Sequence, residues 1–206
     1  PILVGGTGLY FKALTDGLSS IPKIPLKIRN QIRALHQEIG QKRFYQQLLK
    51  IDPTSVNKIK PNDTHRSLRA YEIKFYTQKS IHNYFKNTKS NFKEIDFYKI
   101  YIDFPRQDLI ERIKLRTEQM INRGAVNEVK NFIKLKVKKD KSVNKAIGIN
   151  EIRQYLKNEK DLHEIIDQIS IKTRQYAKRQ STWARGNMKT WLRLKPKQLN
   201  KFLNKI

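Results

Sequence analysis

The chain has 206 residues and a mass of 24.5 kDa, a length suited to one domain or to a domain carrying a smaller insertion. Forty-four Lys and Arg stand against 18 Asp and Glu, a formal charge of +26, which an enzyme for small neutral substrates does not need; a polyanionic partner is expected, nucleic acid first and an anionic membrane surface second. The absence of cysteine excludes disulfides, thiolate nucleophiles and Cys-ligated metals, and no apolar run approaches the ~20 residues that span a bilayer.

No signal peptide is visible, and the cytoplasm is the expected location. The chain opens on Pro1 rather than Met, so it is expected to start inside a longer protein.

Ile2, Leu3 and Val4 form a short apolar run into Gly5-Gly6-Thr7-Gly8, with Leu9, Tyr10, Phe11 and Leu14 following at helical spacing. This reads as a buried strand, a glycine turn and a helix. Residues 18–25 carry Pro22 and Pro25 and read as a linker. Ile28, Ile32, Leu35 and Ile39 then mark one helix face, stopped at Gly40, and Phe44, Leu48 and Leu49 mark a second helix. Asp52-Pro53 has the form of an N-cap followed by proline at the first helical position. Pro61-Asn62-Asp63-Thr64 caps another helix, with Leu68, Tyr71 and Phe75 on its face.

Ile100, Ile102 and Phe104 alternate with Tyr101 and Asp103 as in a strand. Helices are expected around Leu109 to Met120, ending near Gly124, and around Val126 to Ile133. Lys136 to Lys141 reads as a basic loop. Ala146-Ile147-Gly148 precedes a helix with Ile152, Tyr155 and Leu156. Leu162, Ile165, Ile166 and Ile169 open a long helix running to about Trp183, and Trp191 to Leu194 reads as a last strand before a poorly patterned, Lys-rich tail. The expected fold is α/β and predominantly helical: a core of residues 1–20 and 95–206, interrupted by an all-helical insertion over 21–94.

Codon bias toward Lys, Ile and Asn explains part of the charge, but not its clustering. Arg174, Lys178, Ser181 and Arg185 recur at i, i+4, i+7 and i+11, giving one basic and polar helix face. Such a face suits RNA phosphates, although a solvated amphipathic helix has the same pattern. Arg66 and Arg69 share a face just past a helix N-terminus, where amides and guanidinium groups suit phosphate; plain capping with surface arginines is the alternative. Arg112 and Arg116 stand at i, i+4 and could hold a pyrophosphate. Gly5-Gly6-Thr7-Gly8 lacks the spacing of a nucleotide fingerprint, and no glycine is followed by Lys-Ser or Lys-Thr as in a P-loop. His36, His65, His82 and His163 are scattered, and no metal ligands are assigned.

Taken in order, these segments resemble the tRNA dimethylallyltransferase (isopentenyl-tRNA transferase) family. The matching stretches are Pro1 to Phe11, Ile51-Asp52-Pro53, Pro61 to Asp63 with His65 to Ala70, Arg112-Ile113 with Arg116, Met120 and Gly124, Glu128-Val129, Ala146-Ile147-Gly148, and Thr173 to Trp183. The resemblance implies a P-loop-type α/β core, here truncated, with a helical insertion that grips the anticodon stem-loop. It implies transfer of a dimethylallyl group from dimethylallyl diphosphate to N6 of the adenosine just 3′ of the anticodon, with Mg²⁺ assisting, by a monomeric enzyme away from membranes. The family's P-loop and its base, an aspartate, would both precede Pro1, so this chain alone is expected to be inactive.

Residue by residue, the resemblance implies tRNA contacts at Thr7, at Arg29, along His65, Arg66, Ser67, Leu68 and Arg69, and along Lys145, Ala146, Ile147, Gly148, Ile149 and Asn150. Arg174, Lys178 and Arg185 join them from the basic face, and Arg116 steadies the diphosphate. The family's usual Gly-Tyr-[Lys/Arg]-Glu is here Gly148-Ile149-Asn150-Glu151, losing an aromatic and a cation, and Gln78 stands where a turn glycine is usual. A non-catalytic RNA-binding module and a fragment of a P-loop small-molecule kinase are the competing readings; the Thr173–Trp183 stretch and the basic insertion disfavour the kinase.

Overall fold

The computed structural model describes residues 1–139 and 141–204. It divides into two compact units, a helical one of Leu9–Phe97 and a mixed one of Pro1–Gly8 with the chain from Tyr98 onward. Most described residues are helical, and the described strands form one small parallel sheet.

In the helical unit, α1 (Gly8–Thr15) leads through a proline-bearing linker to α2 (Leu26–Ile51). The two helices expected on either side of Gly40 are halves of one kinked element. Gly40 sits at φ 73, ψ 165, a conformation essentially closed to residues with a Cβ, and this breaks the helical geometry. Pro53 opens a single 3-10 turn, Pro53–Ser55. Helix α3 (Thr64–Thr77) begins at Asp63, whose carboxylate accepts from Arg66 N at 3.0 Å, and ends at Gln78, which takes up the left-handed conformation itself (φ 59). Ser80 caps α4 (Ile81–Lys86). Ile24, Leu48, Ile59, Ala70, Ile73 and Ile81 form the core of this unit, joined by half-buried Tyr45, Tyr71 and Tyr84.

A buried polar joint braces the same unit. Asp52, 2% exposed, accepts hydrogen bonds from the hydroxyls of Thr54, Ser55 (3.1 Å) and Ser80 (2.8 Å), tying the end of α2 to the start of α4. Burial works to raise its pKa, yet those three hydroxyls and the nearby His82 hold the carboxyl below its usual value. His82 is itself shifted down, by burial and by Lys58, against the pull of Asp52.

In the mixed unit, β1 (Ile100–Ile102) feeds α5 (Arg106–Asn122), α6 (Ala125–Lys134), α7 (Ile149–Leu156) and α8 (Leu162–Asn187), after which β2 (Leu192–Leu194) returns parallel to β1. Ile100 pairs with Leu192 and Ile102 with Leu194. Helix α5 packs on α8, and α7 packs on both α6 and α8. Ile121, Ala125, Val129, Ile152, Ile165 and Ile169 make the core. Asp161 opens α8 with a reciprocal capping box to Glu164.

Two expectations fail. Ile2, Leu3 and Val4 are not a buried strand: they lack regular structure and are 88%, 62% and 91% exposed. A strand needs a neighbour for its backbone groups, and among the described residues none runs beside them. The Lys-rich tail, by contrast, is ordered into α9 (Pro196–Leu203), begun by proline at its first position and held by a Lys195 N–H bond to Gln198 Oε1 (2.7 Å). The expected basic loop over Lys136 to Lys141 includes residue 140, which lies outside the described residues.

Candidate functional site

The Thr173–Trp183 stretch lies within α8, and in the mixed unit the glycine segment runs against it. A Cβ added to Gly6 would fall 2.1 Å from Gln180 Nε2, and one added to Gly8 would fall 2.1 Å from the Trp183 ring. At Gly8 a side chain would enter the Trp183 ring, so the backbone passes this close only because it carries none, whereas at Gly6 the clash is with the movable end of Gln180. A cavity of about 450 Å³ beside this crossing is lined by Gln175, Lys178, Arg179, Thr182 and Trp183. Arg174, Lys178 and Arg185 are exposed, as the i, i+4, i+11 spacing implies, and Thr7 is exposed on the glycine segment. Arg179 lies over the Tyr176 ring at 5.6 Å.

The 145–150 stretch bends over the start of α7. Lys145, Ala146, Ile147 and Asn150 are exposed, Ile149 is half-buried and Gly148 is buried. Glu151, just after it, holds the bend in place. Its buried carboxylate accepts from Gly148 N at 2.8 Å and pairs closely with Lys172 of α8. Burial acts to raise the Glu151 pKa, but the Lys172 and Gly148 hydrogen bonds and the Lys172 charge set it below the ordinary value. Asn144 adds a second tie, donating to Lys138 O (2.9 Å) and accepting from Arg153 (3.1 Å). Arg116 is exposed on α5, one turn after Arg112, whose guanidinium lies 4.9 Å from the Phe104 ring centroid.

The helical unit holds a separate basic group. His65 and Arg66 are exposed, and Arg66 pairs with Asp63 at 3.4 Å. Ser67 is fully buried, and its hydroxyl accepts from Gln41 Nε2 at 3.3 Å, so its place is in the packing of α3 on α2. Leu68 and Arg69 are half-buried. Arg69 reaches Glu72, a buried carboxylate one turn along, at 3.3 Å; Arg29 and Arg33 of α2 approach the same carboxylate at 3.6 and 3.9 Å.

No sequence pattern singles out Glu72, Arg33 or Lys172, and Glu151 stands out only as the last position of the altered Gly148–Glu151 motif. The Arg69–Glu72 spacing was visible, but nothing in it shows that two arginines of another helix join the pair. Among the described residues no three His, Asp or Glu side chains gather as cation ligands. No described helix is long and apolar enough to cross a membrane.

A tRNA dimethylallyltransferase of Pelagibacter ubique is 55% identical over all 206 residues, and one of Agrobacterium fabrum is 37% identical over 198 residues, 95% of this chain. In both cases the chain spans 66% of the relative's length. Among solved structures, a eukaryotic dimethylallyltransferase acting on tRNA superposes with a TM-score of 0.71 at 28% identity, covering 89% of this chain and 47% of that one. The Staphylococcus epidermidis tRNA delta(2)-isopentenylpyrophosphate transferase gives 0.56 at 26% identity, covering 100% and 69%. The IPP transferase family model matches residues 1–187, from the glycine segment through the end of α8, and with the full-length identity to the Pelagibacter protein this places the chain in the IPP transferase family.

Proposed function

We propose that this chain serves the transfer of a dimethylallyl group to tRNA, carrying the surfaces that hold the anticodon stem-loop and part of the hold on the diphosphate. The activity printed in its relatives' names supports the reaction class. The observation that carries the RNA side is the approach of Gly6 and Gly8, on either side of exposed Thr7, to Gln180 and Trp183 of α8, the helix that exposes Arg174, Lys178 and Arg185. Exposed cations along one helix beside an aromatic ring and a cavity suit a phosphate backbone with one base drawn out of its stack.

In the proposed reaction the exocyclic N6 of the adenosine 3′ of the anticodon bonds to the allylic C1 of dimethylallyl diphosphate. The C1–O bond breaks, diphosphate leaves with the electron pair, and one N6 proton is lost to a base. Arg116 steadies the charge gathering on the diphosphate, an effect that is largest where positive groups are already in place. The residues at 145–150, tied to α8 through Glu151, line the RNA from the same unit. A P-loop-type core, assistance by Mg²⁺, a monomeric state and a cytoplasmic setting complete the reading.

The test is binding of an anticodon stem-loop RNA as a function of salt, against a duplex of the same length without a loop. The stem-loop should bind more tightly, and Arg174→Ala/Lys178→Ala should flatten the salt dependence by about one to two in log–log slope. Equal binding of the two RNAs, or an unchanged slope in the double variant, sinks the assignment.

A further inference from the structure

Glu72 is a single carboxylate, 3% exposed, with three guanidinium groups around it. Two come from successive turns of α2, Arg29 and Arg33, and one from α3, Arg69. Three positive charges on one negative leave the group at net +2. Only Arg69 is within hydrogen-bond distance of the carboxylate, so Arg29 and Arg33 attend it as nearby charges and keep most of their donors for another partner. The arginines are not buried with it: their side chains are 39%, 50% and 42% exposed. Arg29 Nε is itself shielded from solvent and lacks a hydrogen-bond partner, its 3.6 Å approach to Glu72 being too long for one. Beside Arg29 and Arg69 opens a cavity of about 660 Å³, whose wall continues through Pro22, Lys23 and Pro25. Lys23 adds a further cation to that wall.

We propose that Arg29, Arg33 and Arg69 form one seat for a backbone phosphate of the bound RNA, with Glu72 as its positioning residue. The proposal rests on the RNA-binding reading above. Glu72 anchors the inner edges of the guanidinium groups, which fixes their long side chains before the ligand arrives. Their remaining N–H donors face a phosphate together, and a planar fork held in place loses little freedom on binding it. Pro22 and Pro25 stiffen the backbone of the cavity's lining.

The sign of one substitution separates this from general electrostatics. Glu72→Gln removes a negative charge, so if only net charge mattered the variant would bind RNA more tightly. If Glu72 positions the arginines, binding weakens by about three- to tenfold and the log–log salt slope falls by about one, as one phosphate contact is lost. Arg33→Ala, at a half-exposed surface position, should give the same loss, while the charge-matched Lys50→Ala should not. Binding of anticodon stem-loop RNA by the full 206-residue chain is read by fluorescence anisotropy across a salt series, with circular dichroism confirming the helical content of each variant. Unchanged or tighter binding by Glu72→Gln overturns the proposal, as does an equal effect of Arg33→Ala and Lys50→Ala. If Glu72→Gln loses helical content, Arg33→Ala against Lys50→Ala decides alone. No binding by the wild-type chain removes the RNA reading itself and this proposal with it.

Discussion

Glu151 offers the sharpest test of how the mixed unit holds its 145–150 bend. Its carboxylate does two jobs: it accepts from the buried Gly148 N–H, and it pairs with Lys172. Glu151→Gln keeps an acceptor for Gly148 but removes the charge. The carboxylate is buried and the Lys172 side chain is 52% exposed, so the pair lies between the ~0–1 kcal/mol of a surface bridge and the ~3–5 kcal/mol of breaking a buried one. A loss of about 1–2 kcal/mol is expected for Gln. Glu151→Ala also strands the Gly148 N–H, adding about 1 kcal/mol or more. Urea unfolding at neutral pH, followed by circular dichroism, reads both. The pH dependence has a definite sign. The folded Glu151 pKa is depressed, so its contribution is full above the unfolded value of about 4.3 and is lost as pH falls through the lower folded value. The gap between wild type and Glu151→Gln should therefore close in strong acid, where the protonated acid resembles the amide. A gap absent at pH 7, or one that widens on acidification, would refute the reasoning.

Further outcomes follow from the same geometry. Asp52→Ala leaves the Thr54, Ser55 and Ser80 hydroxyls without their shared acceptor and should lower stability by about 2–4 kcal/mol, measured by urea unfolding, with a smaller loss for Asp52→Asn. Gly8→Ala puts a Cβ into the Trp183 ring and should cost about 1–3 kcal/mol or push the glycine segment off α8, which shows as a change in tryptophan emission. Gly40→Ala meets no neighbour within 4 Å, so its cost of about 1–3 kcal/mol is purely that of the φ 73 backbone; a thermal melt equal to wild type would show that the kink relaxes freely. Arg66→Ala/Arg69→Ala should weaken stem-loop RNA binding by tenfold or more, and unchanged affinity would remove that helix start from the interface.

Much of this protein was legible in the sequence because it rests on short-range rules. Helical periodicity located α2, α3, α5, α6 and α8, since a helix satisfies its own backbone and needs only one apolar face. Asp63 acts within three residues of itself, and the family likeness lay in contiguous motifs. Strands are different. Ile2 to Val4 has the composition of a strand and is not one, while Leu192 to Leu194 is one because β1 lies beside it, across about ninety residues of helix. The site followed the same division. Exposed Arg174, Lys178 and Arg185 could be read from spacing, because a helix surface is a local property. That Gly6 and Gly8 are small so as to lie on Gln180 and Trp183, that Ser67 is buried, and that Glu72 draws arginines from two helices were decided by tertiary structure alone. Each depends on which distant residue packs opposite, and that is set by the whole core rather than by any one segment.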